Sequence, residues 1–244
     1  MSKVSRREFL KLGLATGAGF LLSPVAQKLR AFAAAAPAPT RASFWIKATG
    51  TDVRCQLCPR QCLIKQGGRG FCEDRENRDG TLYTMVYGNP CAAHVDPIEK
   101  KPLYHVLPGT RTFSFATAGC NFECRYCQNW QISQARPEQT ENIDLPPQRA
   151  VAQALAQKLP SVSATYTEPA VFYEYMHDTF RLAREKGLAT LYHSNGFINP
   201  EPLKELCKYL TAANIDLKAF DQDTYARMSQ GRLEPVLETL KTLK

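Results

Sequence analysis

Residues 112–127 read TFSFATAGCNFECRYC, a predicted strand that runs directly into a loop with three closely spaced cysteines. The strand covers 112–117, and Cys120, Cys124 and Cys127 follow it with C-x3-C-x2-C spacing. Three thiolates at this spacing can each bind one iron of a [4Fe–4S] cubane and leave the fourth iron without a protein ligand. Because a catalytic metal site keeps one position open for its substrate, the loop predicts a reactive cluster.

The chain beyond this loop alternates between apolar-periodic helices and short strands. Helices are predicted at 147–158, 170–186, 202–209, 221–228 and 233–243, and further strands at 162–166, 189–193 and 213–217. This alternation predicts an α/β fold with a parallel sheet built of βα units. The loops at the carboxyl ends of such strands gather the ligand site, so the cysteine loop is expected at that edge of the sheet.

A cysteine-rich segment at 44–111 precedes this α/β domain, which covers 112–244. The segment is dense in glycine and arginine and has one predicted strand, 81–87, so a small irregular lobe is expected. It carries four closely spaced cysteines, Cys55, Cys58, Cys62 and Cys72. Four thiolates could form a closed site, structural or electron-transferring, for zinc or a second iron–sulfur cluster. A disulfide-stapled or metal-free lobe is the alternative.

Two further cysteines, Cys91 and Cys207, stand alone in the sequence. A free cysteine without neighbouring thiols behaves as a small apolar residue and is commonly buried. Both are interpreted in that way.

The first 36 residues have the three parts of an export signal. A charged start precedes the apolar stretch 12–22, and the small residues at 31–37 suit signal cleavage. The segment SRREFLK at 5–11 is typical of a twin-arginine signal, with an ordinary secretory signal or an uncleaved anchor as the alternative. Residues 37–43 are interpreted as a linker. The expected location is the periplasm or cell envelope, or the cytoplasm if the signal is not used, with no membrane span after cleavage.

The formal net charge of +8 belongs mostly to this leader. Residues 1–36 contain six lysines and arginines against one acidic residue, Glu8, which leaves +3 for the rest of the chain. A basic leader is part of an export signal. No nucleic-acid partner is therefore expected.

The cysteine loop resembles the hallmark of the radical S-adenosylmethionine (SAM) superfamily, C-x3-C-x-Φ-C with an aromatic residue at Φ, where this chain has Tyr126. The resemblance implies that the three cysteines hold a [4Fe–4S] cluster whose open iron binds SAM, with Tyr126 among the cofactor-binding residues. It implies reductive cleavage of SAM to a 5′-deoxyadenosyl radical that abstracts hydrogen from the substrate, so the cofactor carries the hard chemistry. A structural zinc site or a disulfide pair is the alternative.

Four further motifs together resemble the AmmeMemoRadiSam radical enzymes, relatives of the pyruvate formate-lyase activating enzymes. They are CQLCPRQC at 55–62, GFC at 70–72, DPIEKKPLYH at 96–105 and CQNW at 127–130. The resemblance implies an electron donor and Memo-type and AMMECR-type partner proteins, but no firm substrate. It also implies a partial (β/α) barrel of about six βα units. Because four strands precede Lys244, a C-terminally truncated barrel is expected.

The resemblance places cofactor contacts at the ends of the later strands. Glu168 stands where the superfamily has a Gly-Gly-Glu motif, and a carboxylate there can accept hydrogen bonds from the SAM ammonium; both glycines are replaced here, and a helix N-terminal acid is the alternative. Ser194 and Asn195 match the family's cofactor-contact turn, with a plain turn as the alternative. Asp216 and Lys218 either face the site or pair with each other.

Lys101 and His105 belong to the DPIEKKPLYH motif just before the first strand of the α/β domain. This position places them near the cluster, with a packing or salt-bridge role equally favoured. No residue is assigned a catalytic role.

A non-catalytic iron–sulfur or zinc protein, used in electron transfer or protein interaction, is the alternative function. It gains weight from the export signal, because an enzyme outside the cytoplasm would need a supply of SAM and a strong reductant. The response of a reduced cluster to added SAM separates the two hypotheses.

Overall fold

The computed structural model describes residues 40–244, and these lie in one compact unit. The predicted signal at 1–36 and residues 37–39 of the predicted linker lie outside the described residues. Among the helices of residues 40–244, none has the length and apolar character that a membrane span requires.

Two small antiparallel sheets occupy the cysteine-rich segment. Their strands are β1 (Thr40–Arg41), β2 (Trp45–Lys47), β3 (Val53–Cys55), β4 (Leu63–Ile64), β5 (Arg75–Arg78) and β6 (Thr81–Thr84). The orders are β1-β6-β5 and β2-β3-β4. The strand predicted at 81–87 is present as β6, whereas the other five of these strands were not predicted from the sequence. Strands of two to four residues are too short for their alternation to stand out in the sequence, and β5 consists of polar residues only.

The main sheet has five strands. They are β7 (Ala92–Pro97), β8 (Arg111–Ala116), β9 (Ser161–Ala164), β10 (Ala189–Ser194) and β11 (Ala212–Ile215). The order is β11-β10-β9-β8-β7, with β8 to β11 parallel to one another and β7 antiparallel to β8. The parallel α/β sheet predicted from the sequence is confirmed. Barrel closure and truncation at the C-terminus stay predictions.

Six α-helices connect and cover these strands. They are α1 (Trp130–Ser133), α2 (Pro147–Ala156), α3 (Tyr173–Glu185), α4 (Pro200–Cys207), α5 (Gln222–Ser229) and α6 (Leu233–Leu243). Local chemistry explains several helix starts: Pro147 and Pro200 occupy first helical positions, where the missing N–H costs nothing. Asp221 caps α5 by accepting a 2.8 Å hydrogen bond from the Thr224 amide. The five helices predicted in this region are all present.

The largest hydrophobic cluster of residues 40–244 joins the small sheets to the α/β domain. It contains Val53 and Leu82 from the small sheets, Phe115 and Val162 from the main sheet and Phe180 from α3, all 3% exposed or less. Burying a side chain of this size contributes about 1.5–3 kcal/mol. The cysteine-rich segment therefore packs on the domain through an extended apolar contact.

A buried ion pair fastens the same junction. Arg75 of β5 pairs with Glu174 of α3, and the two side chains are 1% and 7% exposed. Glu174 also accepts a 2.6 Å hydrogen bond from the Ser43 amide. Because breaking such a pair leaves an uncompensated buried charge, removing either partner typically costs about 3–5 kcal/mol.

Candidate active site

The cysteine loop leaves the carboxyl end of β8 through a glycine with left-handed backbone geometry. Gly119 has φ +87°, and its amide donates a 2.9 Å hydrogen bond to the Ile132 carbonyl. A Cβ at this position would lie 2.1 Å from the Asp74 carboxylate, which is fully buried. Glycine is therefore required both by the backbone conformation and by the contact with Asp74.

Gly119→Ala is expected to lower the free energy of unfolding by about 2–5 kcal/mol, since left-handed geometry costs a non-glycine residue about 1–2 kcal/mol and overpacking about 1–3 kcal/mol. Gly109→Ala is the matched control: its φ is +76°, but a Cβ there meets nothing within 4 Å. Gly109→Ala should lower the free energy of unfolding only by the backbone contribution of about 1–2 kcal/mol. Urea unfolding of both variants measures the difference, and equal losses would show that the Asp74 contact has no effect on stability.

The three cysteine sulfurs lie in partly buried positions along the loop. The Cys120 sulfur accepts a hydrogen bond from the Phe122 amide at 3.3 Å, and the Cys127 sulfur lies 3.2 Å from the Ser133 hydroxyl. Burial raises the pKa of Cys120, and the nearby Glu168 carboxylate raises it further. Burial also raises the pKa of Cys124.

A cavity of about 560 Å³ opens above this loop. All nine residues assigned above to the cluster and the cofactor line it: Cys120, Cys124, Tyr126, Cys127, Glu168, Ser194, Asn195, Asp216 and Lys218. They come from the carboxyl ends of four adjacent parallel strands, as expected for an α/β ligand site. The structure thus brings the predicted residues together, while the role of each stays a prediction.

Glu168 is held by its own chain. One carboxylate oxygen accepts from the Ala170 amide at 2.9 Å and the Ser194 hydroxyl at 2.7 Å, and the other accepts from the Asn195 amide at 2.8 Å. The side chain is 1% exposed, and burial raises its pKa. A carboxylate has about four acceptor sites, so the oxygen bound to the Asn195 amide keeps one for a ligand. The main structural role of Glu168 is to join the loop after β9 to the turn after β10 by hydrogen bonds.

The turn after β10 is internally bonded. The Ser194 hydroxyl accepts from the Gly196 amide at 2.9 Å, and the side-chain oxygen of Asn195 accepts from the Phe197 amide at 2.8 Å. The side-chain NH₂ group of Asn195 donates to the side-chain oxygen of Asn121 in the cysteine loop at 2.9 Å. These side chains therefore shape the turn and link it to the cysteine loop, in addition to lining the cavity.

Asp216 and Lys218 pair with each other while they line the cavity. Their charged atoms lie 2.8 Å apart, and the other Asp216 oxygen lies 3.1 Å from Nε2 of His193. The Nδ1 atom of His193 lies 3.2 Å from the Thr165 hydroxyl. Burial alone would raise the pKa of Asp216, but the hydrogen bonds from His193 and Lys218 lower it to about 2. The carboxylate is therefore charged near neutral pH and holds the Lys218 ammonium and the His193 ring in place.

Tyr126 reaches the same wall of the cavity. Its hydroxyl lies 3.3 Å from the Lys218 carbonyl oxygen and 3.4 Å from the Ser229 hydroxyl, and the side chain is 49% exposed. The aromatic residue of the cysteine motif thus connects the loop to the segment that follows β11.

A second group of polar residues beside the cavity was not predicted from the sequence. Tyr166 lines the cavity and has φ +65°, and its hydroxyl donates to Asp96. Asp96 also accepts from Lys101 at 2.6 Å and from Lys100 at 3.0 Å. Lys101 thus has the salt-bridge role left open above, whereas His105 is exposed and is not among the residues that line the cavity. The acidic and basic residues of the DPIEKKPLYH motif are the sequence feature from which these ion pairs could have been predicted.

Within residues 40–244, no group of three or more histidine, cysteine, aspartate or glutamate side chains is arranged so that it could hold a single metal ion. A cubane makes a different demand, because each thiolate binds a separate iron. Cys120, Cys124 and Cys127 share one cavity, and thiolates are the ligands that iron–sulfur clusters select. By its chemistry this donor set fits a [4Fe–4S] cluster.

A family model described as the Radical SAM superfamily matches residues 115–244. The uncharacterized protein MJ0808 of Methanocaldococcus jannaschii is 47% identical over 203 residues, which is 83% of this chain and 60% of that protein. The uncharacterized protein MJ0674 of the same organism is 30% identical over 87 residues, 35% of this chain and 21% of that protein. The matched residues thus cover about three fifths of the length of MJ0808 and about one fifth of that of MJ0674.

Among solved structures, a structure of TYW1 with a lysine-pyruvate adduct bound superposes with a TM-score of 0.39 and 18% sequence identity. The superposition covers 62% of this chain and 60% of that chain.

Proposed function

Because this chain belongs to the radical SAM superfamily, we propose that it cleaves SAM reductively and abstracts hydrogen from a protein or small-molecule substrate. The cofactors are a [4Fe–4S] cluster, held by Cys120, Cys124 and Cys127, and SAM. When bound, they supply a 5′-deoxyadenosyl radical, so the hard chemistry belongs to the cofactor. The residues of the chain bind and orient the cofactors and the substrate and shield the radical from solvent.

The observation that carries the proposal is the shared cavity of the three cysteines. A closed structural site would surround its metal with protein ligands, whereas an open site leaves a position for a substrate. Here three thiols lie on one side of a space of about 560 Å³, and polar side chains from three further strand ends line the rest. This arrangement favours an enzyme over an electron-transfer or interaction module.

The polar residues of the cavity suit the charged groups of an amino acid. The free acceptor site on Glu168 can take a hydrogen bond from the SAM ammonium. Lys218, 26% exposed and fixed by Asp216, presents a cation that can pair with a carboxylate. Ser194 and Asn195 hold the turn between these two charges and add polar atoms to the cavity wall.

We further propose the AmmeMemoRadiSam subtype, with a low-potential electron donor and Memo-type and AMMECR-type proteins as partners. The four motifs at 55–62, 70–72, 96–105 and 127–130 support it. Export by the twin-arginine route to the periplasm or cell envelope is likewise a proposal, supported by the SRREFLK segment. A cytoplasmic location is its alternative.

Addition of SAM to the anaerobically reconstituted and reduced protein is expected to change the electron paramagnetic resonance signal of the cluster, because SAM would bind the open iron. 5′-Deoxyadenosine should then form with added reductant. Cys124→Ala treated in the same way is the control and should show neither effect. If SAM leaves the signal of the wild-type cluster unchanged and no 5′-deoxyadenosine forms, the non-catalytic alternative is favoured.

A further inference from the structure

Cys55, Cys58, Cys62 and Cys72 border one small buried cavity, separate from the candidate active site. The four cysteines come from β3, the turn after it, the residue just before β4 and the turn before β5, yet all line this space of about 20 Å³. A cavity needs roughly 10–15 Å³ on this measure to hold one water molecule. The space therefore admits an occupant of atomic size without displacing the backbone.

N–H groups face two of the four sulfurs. The Phe71 amide donates to Cys62 at 3.5 Å, and the Arg75 guanidinium donates to Cys55 at 3.9 Å. Hydrogen bonds to a charged acceptor are the stronger ones, so these two donors would stabilise metal-bound thiolates.

A backbone amide also faces the sulfur of a cluster ligand assigned above: Cys120 accepts from the Phe122 amide at 3.3 Å. Cys91 differs, because its thiol donates to the Ala116 carbonyl oxygen at 3.7 Å. Neither Cys91 nor Cys207 lines the small cavity. These two isolated cysteines therefore provide matched control positions.

We propose that Cys55, Cys58, Cys62 and Cys72 hold a second metal centre, closed by four thiolates. Zinc and iron–sulfur clusters both accept this ligand set. The cavity of about 20 Å³ matches a single metal ion, whereas a cubane would require the four side chains to move apart. Four protein ligands leave no open position, so this centre is structural or electron-transferring and does not bind substrate. The sulfurs border the cavity without being grouped around one ion, so binding would draw the side chains inward. The inference does not rest on the proposed function.

Arg60 and Asn121 place this centre directly behind the cysteine loop. Asn121 of that loop lines the small cavity, and its carbonyl oxygen accepts a 2.6 Å hydrogen bond from Arg60. The Arg60 guanidinium stacks on Phe71 at 3.4 Å. Its charge acts on sulfurs of both cysteine groups, among them Cys58 and Cys120. A metal that fixes the four-cysteine group would therefore also steady the loop of the first cluster.

Metal analysis of the full chain, purified without oxygen, tests the centre independently of activity. Zinc and iron per chain are measured in wild type, Cys58→Ser/Cys62→Ser, Cys124→Ala and the control Cys207→Ser. We expect the double variant to lose the metal that Cys124→Ala retains, and Cys207→Ser to retain both centres. Zinc or iron with sulfide in Cys124→Ala identifies which metal occupies the site. Complete loss of metal in Cys124→Ala, or wild-type content in the double variant, would overturn the proposal.

Cobalt binding keeps the test decisive if the double variant fails to fold. Metal-free Cys124→Ala is titrated with Co²⁺ alone, and the thiolate-to-cobalt absorption is followed. Saturation at one Co²⁺ per chain is expected, because Cys55, Cys58, Cys62 and Cys72 form one tetrahedral set, whereas Cys120 and Cys127 leave only two thiolates at the other site. Absence of this absorption in a chain with the circular dichroism of wild type would reject the site.

Discussion

Cys124→Ala should lose the cluster iron and the formation of 5′-deoxyadenosine together. Two remaining thiolates cannot hold a cubane that already has one iron open. Removing a group that merely supports a metal ligand costs about 10–100-fold in affinity, so removing the ligand itself should exceed 100-fold. Iron and sulfide analysis after anaerobic reconstitution, followed by a product assay, measures both effects.

The structure indicates that this loss would come from the missing ligand and not from a displaced loop. The backbone amides on either side of Cys124 are hydrogen-bonded to the last two residues of α5. The Glu123 amide donates to the Ser229 carbonyl at 3.0 Å, and the Arg125 amide donates to the Met228 carbonyl at 2.9 Å. Neither bond involves the side chain that is replaced. Cys91→Ala is the control, since that cysteine lies outside the cavity lining. Iron content equal to wild type in Cys124→Ala would remove Cys124 from the ligand set.

The parts of the molecule that were predictable from sequence depend on local signals. The cysteine loop has three ligands within eight residues, so its chemistry needs no knowledge of the fold. The helix α6 was predicted with its observed bounds at 233–243, because its apolar positions recur with helical period. The order of strands and helices in turn placed Glu168, Ser194 and Asp216 at one edge of the sheet.

The remaining features depend on contacts between distant segments. The strand β7 carries polar residues and joins the main sheet only through its pairing with β8, in which Ala92 lies opposite Ala116. The Asp96 carboxylate is connected to the cavity only through its partners, such as Tyr166, which lines the cavity and donates to it from 70 residues later in the chain. The side chain of His193 likewise acquires its partners from two other strand ends. No periodicity within one segment reports such contacts.

Glu168→Ala should keep the cluster iron and weaken SAM binding, while it also lowers the free energy of unfolding. The substitution removes the acceptor of the Ala170 amide, the Ser194 hydroxyl and the Asn195 amide. Each buried donor left without a partner costs about 1–3 kcal/mol, so a loss of about 3–9 kcal/mol is expected for the three donors. Isothermal titration with SAM and urea unfolding measure the two effects.

Glu168→Gln separates the two roles of this side chain. Glutamine keeps the side-chain volume and one acceptor oxygen but places an NH₂ group toward the donors of the turn. We therefore expect about half of the stability loss of Glu168→Ala. SAM should also bind more weakly, because the negative charge that attracts its ammonium is gone. Glu185→Ala is the control: its carboxylate is 53% exposed and paired with Arg181, and such pairs contribute only about 0.3–0.5 kcal/mol. Iron retained in both Glu168 variants with SAM affinity equal to wild type would make Glu168 a purely structural link between two loops. Iron lost from a folded Glu168→Gln would instead mean that the Asn195 to Asn121 contact, which this carboxylate positions, supports the cluster loop itself.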